Sequence, residues 1–191
     1  MPLINVPTKE IHCKIVYYGP GFCGKTTNLK YIHSRAPVNA KGELLTLATE
    51  TERTLFFDFL PLDLGTVHGY KVRFHLYTVP GQPLYERTRV MLLNGVDGVV
   101  FVADSGRNRF KDNVQSFYEM QKILAGLGKP LADLPLVIQY NKRDLADAVP
   151  APILNARLNS YKSPHFLAIA TKGTGVFDTL RAVSKLVVAK L

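Results

Sequence analysis

Residues Gly19-Pro20-Gly21-Phe22-Cys23-Gly24-Lys25-Thr26 fit the pattern G-x-x-x-x-G-K-[ST]. No other feature constrains the fold of this chain as strongly. The stretch Ile11-His12-Cys13-Lys14-Ile15-Val16-Tyr17-Tyr18 before them is β-branched and aromatic and reads as a strand, and Thr27 to Ser34 after them reads as a helix. Strand, glycine loop and helix in that order form a cradle. Backbone N–H groups converge there on oxyanions, and the helix N-terminus adds its positive end. Lys25 is expected to reach β- and γ-phosphates, and the Thr26 hydroxyl to coordinate Mg²⁺. Gly19, Gly21, Phe22, Cys23, Gly24 and Thr27 complete the expected cradle. The opposing reading is a glycine-rich turn with a chance lysine.

A second motif argues against chance. Asn141-Lys142-Arg143-Asp144 follows the strand-like run Leu136-Val137-Ile138-Gln139-Tyr140. A carboxylate such as Asp144 accepts from the N1–H and N2–H₂ groups of guanine, whereas adenine lacks that donor pair and would leave the carboxylate unsatisfied. Asn141 is expected to brace the loop or meet the base edge, and the Lys142 stem to lie over the ring. A third loop follows Phe166-Leu167-Ala168-Ile169-Ala170, where the Ala170 N–H could donate to guanine O6. Loops at strand ends on one edge of a parallel sheet are where α/β folds hold ligands.

Between these motifs lies Pro80-Gly81-Gln82-Pro83. A glycine at a strand end can offer its N–H to a γ-phosphate, and a glutamine beside it can orient an attacking water. The loop 35–54 supplies a candidate second Mg²⁺ ligand at Thr54, with Thr49 and Thr51 as alternatives. Arg53 beside it either neutralises charge on the transferred phosphate or is a solvated loop arginine. Pro83 biases Gln82 away from helical backbone angles.

The remaining pattern alternates strands with helices. Strands are expected near 11–18, 54–60, 71–79, 98–103, 135–140 and 165–170. Helices are expected near 25–34, 83–93, 108–127, 150–158 and 175–190, the last with Val176, Leu180, Val183 and Val187 on its core stripe. This is an α/β chain with a mostly parallel six-stranded sheet, one antiparallel strand (54–60 against 71–79) and helices on both faces. At 191 residues, 1–191 is expected to form one domain.

The start Met1-Pro2-Leu3 lacks a secretory signal or myristoylation glycine, and the end lacks a prenylation cysteine, so a cytoplasmic protein without a lipid anchor is expected. Cys13 and Cys23 read as reduced thiols. The net charge of +9 is scattered, without a run of like charges or an RNA-binding motif, which places nucleic acid last among anionic partners. Asp58, inside the apolar run Leu55–Leu60, needs a partner. It faces solvent at an edge position, pairs structurally with Lys71 or Arg73, or approaches Thr26 and supports Mg²⁺.

GPGFCGKT, PGQ and NKRD together resemble the Ras-like small GTPases. Ile15-Val16-Tyr17-Tyr18, the run Thr49 to Leu62 and Phe74 to Gln82 carry a tighter likeness to the MglA-type GTPases of bacterial gliding motility and cell polarity. The likeness spans about residue 4 to the C-terminus and is loosest in the helices near 107–130 and 150–162. It implies a Ras-like P-loop GTPase fold and a switch that binds GTP, GDP and Mg²⁺, hydrolysing slowly until an activator protein of roadblock fold stimulates it. It further implies recruitment to a cell pole and polar effector proteins. In that family the position of Arg53 is an intrinsic arginine finger and that of Gln82 positions water. Thr78 stands where most small GTPases carry an aspartate near Mg²⁺, though threonine is normal for the MglA type. A P-loop kinase using ATP is the alternative, and NKRD argues against it. An RNA-linked GTPase would want an appended RNA-binding domain.

Overall fold

The computed structural model describes residues 2–47, 57–81 and 85–191. Its strands are β1 (Leu3–Asn5), β2 (Glu10–Tyr18), β3 (Leu45–Leu47), β4 (Phe57–Val67), β5 (Tyr70–Thr78), β6 (Gly98–Asp104), β7 (Leu136–Asn141) and β8 (His165–Leu167). Its α-helices are α1 (Lys25–Arg35), α2 (Glu86–Leu93), α3 (Phe110–Gly126), α4 (Ala151–Leu158) and α5 (Val176–Val188). The sheet runs β3-β4-β5-β2-β6-β7-β8, with β1 paired to β2.

The pairings β2–β5, β2–β6, β6–β7 and β7–β8 are parallel, and β4–β5 is antiparallel, as the short link at His68-Gly69 requires. The sheet has eight strands where six were expected. The two additions, β1 and β3, are three residues each and pair antiparallel at their neighbours' edges. Strands this short carry no periodic signal, which is why the sequence conceals them. Strand β4 also runs past Pro61, where it was expected to end, to Val67. Proline removes only a donor, and the Pro61 carbonyl still accepts from the Gly42 N–H at 3.0 Å.

Strands β6 and β7 are buried at every residue, as befits central parallel strands covered on both faces. On one face Ile11, Cys13, Ile15 and Tyr17 of β2 pack with Leu29 and Ile32 of α1 and Leu180, Val183 and Val187 of α5. The last three are on the stripe the sequence predicted. On the other face Val16 and Tyr18 pack with Leu92 and Leu93 of α2, Phe117, Met120 and Leu124 of α3, and Leu154 and Leu158 of α4. Burial, with the nearby Asp97 carboxylate, pushes the Cys13 thiol up to about 12, so it stays protonated near neutrality.

A buried polar link crosses the first face. Asn28 and Gln139 exchange both amide hydrogen bonds at 2.8 and 3.0 Å, and Gln139 also donates to Thr179 Oγ1 at 3.0 Å. Side chains of α1, β7 and α5 are thereby held in one arrangement at the edge where the glycine loop leaves β2. The chain turns to opposite sides of β2 to reach β5 and β6, the switch point at which α/β sheets open a ligand crevice.

Candidate nucleotide-binding site

Three of the strand-end loops predicted to bind a ligand converge. The loop Gly19–Gly24 leaves β2 and enters α1, and its carbonyls are held from several directions. Lys25 Nζ donates to Gly19 O at 2.9 Å and Pro20 O at 2.7 Å, with Cys23 Sγ at 3.5 Å. Asn141 Nδ2 donates to Cys23 O at 2.8 Å, and Arg109 Nη2 to Gly21 O at 2.7 Å. Lys25, expected to reach phosphates, here spends its donors on the loop it would otherwise serve. An ammonium has three donors on a flexible stem and can exchange carbonyls for phosphate oxygens without moving its helix.

Gly24 joins the two nucleotide motifs at close quarters. Its φ is +104°, and a Cβ there would stand 2.2 Å from Asn141 Nδ2. Only glycine permits both the angle and the approach. Asn141 Oδ1 in turn accepts from the Ala170 N–H at 2.9 Å. The sequence left Asn141 two roles, brace or base reader, and here it is the brace. The Ala170 N–H, expected to face guanine O6, is taken up by Asn141 instead.

Lys142 sits in the left-handed region at φ 63° and donates to Asp104 Oδ2 at 2.7 Å. Asp144 is largely exposed, with Lys172 at 4.0 Å, so its carboxylate retains acceptor capacity for a pair of base donors. Arg143 donates to Val149 O at 2.6 Å.

The partner of Asp58 is now clear. Its carboxylate is buried and accepts from Thr26 Oγ1 at 2.6 Å, Thr78 Oγ1 at 2.8 Å and Thr46 Oγ1 at 2.9 Å. The structural pairing with Lys71 or Arg73 is not made. Those side chains meet Asp63 at 2.8 and 3.4 Å. Asp63 is five residues further along β4, beyond the apolar part of the strand. A carboxylate from the adjacent strand thus accepts a hydrogen bond from the threonine at position 78.

Thr26, Thr46, Asp58 and Thr78 line a cleft of about 360 Å³ together with Lys25 and Gly81. Hydroxyls and one carboxylate are hard oxygen donors, the set that suits Mg²⁺ when substrate phosphates complete its shell. The residues therefore fit the ion. Among the described residues no group of three or more His, Cys, Asp or Glu side chains forms an all-protein metal site.

Gly81 lies against the phosphate loop so closely that a Cβ would come within 2.2 Å of the Gly21 nitrogen. Thr27 lies in the first turn of α1. Arg53, Thr54, its alternatives Thr49 and Thr51, and Gln82 with Pro83 lie outside the described residues. Two members of the constellation were not singled out from sequence, Asp104 and Arg109. A carboxylate ending the otherwise apolar strand Gly98–Asp104 was the available signal for the first.

A phosphate loop at the end of β2, a guanine motif at the end of β7 and an oxygen-lined cleft beside them define a guanine-nucleotide-binding protein. The chain belongs to the ADP-ribosylation factor family, whose sequence pattern matches residues 3–186, and it is a small GTPase that binds and hydrolyses GTP. Across its whole length it is 55% identical over 191 residues, covering 98% of the relative, to the mutual gliding-motility protein MglA of Myxococcus xanthus (strain DK1622).

Proposed function

We propose that residues 1–191 act as one GTPase unit that switches a polar process, gliding motility or cell polarity, by presenting different surfaces with GTP and with GDP. The observation that carries this reading is the Thr26–Asp58 hydrogen bond of 2.6 Å. It ties the first turn of the phosphate-loop helix to the strand that continues directly from the segment bearing Arg53 and Thr54. A change in the ligands of Thr26 is therefore felt at the start of β4, and the segment before it is the natural place for a state-dependent surface. The full-length likeness to a gliding-motility protein supports the process assigned.

In this reading Gly19, Gly21, Phe22, Cys23, Gly24, Lys25, Thr26 and Thr27 hold the phosphates, and Gly81 offers its N–H to the terminal one. Asp144 and Lys142 serve the guanine, with Asn141 and Ala170 bracing the loops. Thr26 and Thr54 are the Mg²⁺ ligands, and Asp58 stands beside them as a supporting carboxylate. The ion, when bound, neutralises charge on the phosphate oxygens. Arg53 stabilises developing charge and Gln82 holds the attacking water. A roadblock-fold activator completes the arrangement of the last two residues, and polar effectors read the GTP state. The protein works in the cytoplasm and is brought to a pole by its partners. Among the described residues no helix is long and apolar enough to cross a membrane.

Competition against a fluorescent GDP analogue tests the nucleotide assignment. GTP and GDP should displace the analogue at comparable concentrations, and ATP should require at least about 10³-fold more. Equal displacement by ATP would return the chain to the kinase reading.

A further inference from the structure

Phe22 occupies an uncomfortable position. Its φ is 65°, in the left-handed region that a bulky residue seldom adopts, and its side chain is 83% exposed. Packing of the ring therefore does not hold the backbone there. The restraint comes from the carbonyls on either side, Gly21 O from Arg109 and Cys23 O from Asn141. Asn141 belongs to the guanine motif, but Arg109 belongs to neither nucleotide motif. It lies just before α3 and, with Asp112, lines a second cleft that shares Gly21, Phe22 and Gly81 with the oxygen-lined one but includes neither Lys25 nor Thr26.

The guanidinium is itself anchored. Arg109 Nη1 pairs with Asp112, and its Nε lies 3.9 Å from Asp104 Oδ2, the buried carboxylate oxygen that also accepts from Lys142 Nζ. Asp104 is fixed by the Gly106 N–H at 3.0 Å, and its backbone N–H and carbonyl are both bonded to Asn113. Arg109 thus reaches the phosphate loop from a rigid support shared with the guanine-reading lysine.

We infer that Arg109 is a positioning residue of the phosphate site, holding the Gly21–Phe22 peptide in the orientation that binds a polyphosphate. A trans peptide carries its N–H on the edge opposite its carbonyl. With the Gly21 carbonyl drawn toward Arg109, the Phe22 N–H is turned the other way, toward the side on which Lys25 and Thr26 stand. Without Arg109 the strained Phe22 conformation loses a charge-assisted restraint, and the peptide is free to turn its carbonyl toward the phosphates. The Arg109 fork makes its contacts to Gly21 O, Asp112 and Asp104 through three separate nitrogens of one rigid plane, a span that the single nitrogen of an ammonium does not cover. This inference rests on the guanine-nucleotide reading of the site.

The test is the dissociation rate of a fluorescent GDP analogue, with ³¹P NMR of bound GDP and a circular dichroism melt on the same samples. Arg109→Ala should release the analogue about tenfold faster or more and move the bound phosphate resonances. Arg109→Lys keeps the charge beside Asp104 and Asp112, and so keeps the fold, but should still release faster and move the resonances. Phe22→Gly, added to Arg109→Ala, should recover part of the lost residence time, because glycine adopts φ > 0 without strain. Rescue by relieving strain at Phe22 is not expected if Arg109 merely stabilises α3. Release within twofold of wild type in both single variants, or faster release with unmoved phosphate resonances and no rescue, overturns the inference. Failure of the wild-type protein to retain GDP at all would instead strike at the nucleotide reading.

Discussion

Asp58 is a buried carboxylate whose partners among the described residues are all hydroxyls. Burying a carboxylate is costly unless its lone pairs are used, and three threonine hydroxyls use them here. One of those hydroxyls belongs to Thr26, the proposed Mg²⁺ ligand, so Asp58 is placed to feel the ion. Asp58→Ala should raise the Mg²⁺ concentration needed for tight binding of a non-hydrolysable GTP analogue by about tenfold, the loss of one charge-assisted hydrogen bond or its equivalent. Mg²⁺ titration monitored by nucleotide fluorescence checks this, and unchanged dependence in a folded variant would leave Asp58 a purely structural role. Within the guanine motif, Asp144→Asn should weaken GDP binding far more than Arg143→Ala. The Arg143 guanidinium faces the Val149 carbonyl, whereas Asp144 retains free acceptor capacity. Equal affinities of the two variants for a fluorescent GDP analogue would contradict that division.

Among the elements, β5 carries two features with measurable consequences. In the loop just beyond its C-terminal end Gly81 lies so close to Gly21 that Gly81→Ala must push the two loops apart. Nucleotide affinity should fall by about tenfold or more while the strand itself persists. Isothermal titration with GDP would detect the loss. In its middle, His75 stacks on Phe59 and lies 2.8 Å from His12 through ring nitrogens. Burial first, then His12 and Arg73, lower the His75 proton affinity, with Asp63 opposing them. The unfolded chain therefore binds a proton near pH 6.5 that the folded chain resists. Stability contributed by neutral His75 is fully present above that pH and is lost as pH falls through the folded value. Urea melts from pH 7.5 to 5.5 should show this loss, and it should be smaller in His75→Gln.

What was legible at this scale follows from the same physics. Long periodic elements such as α5, and loops whose chemistry demands particular residues, could be read directly from the chain. The strand β3, the continuation of β4 through Pro61 and the Asn141–Ala170 bond could not. Each depends on what happens to lie alongside, and a three-residue strand or a single amide leaves no pattern in the sequence.

Taken whole, the molecule gathers the phosphate loop, the guanine motif and Asp58 at one sheet edge, and the proposed catalytic residues belong to the neighbouring segments of the sequence. The phosphate loop, the guanine motif and Asp58 are linked through Asn141, Lys142, Asp104, Arg109 and Thr26. Arg53 and Gln82 lie outside the described residues. Such a division suits a switch, since binding then needs only the frame and hydrolysis needs the loops as well. The most direct measurement of that central claim is single-turnover GTP hydrolysis, with and without a roadblock-fold activator, in wild type, Arg53→Ala and Gln82→Leu. The account predicts slow hydrolysis of the wild type alone and strong stimulation by the activator. In both variants that stimulation should fall by about 10³-fold or more while GTP affinity is nearly unchanged. Normal stimulated hydrolysis by Arg53→Ala, or loss of rate matched by loss of GTP binding, would contradict it.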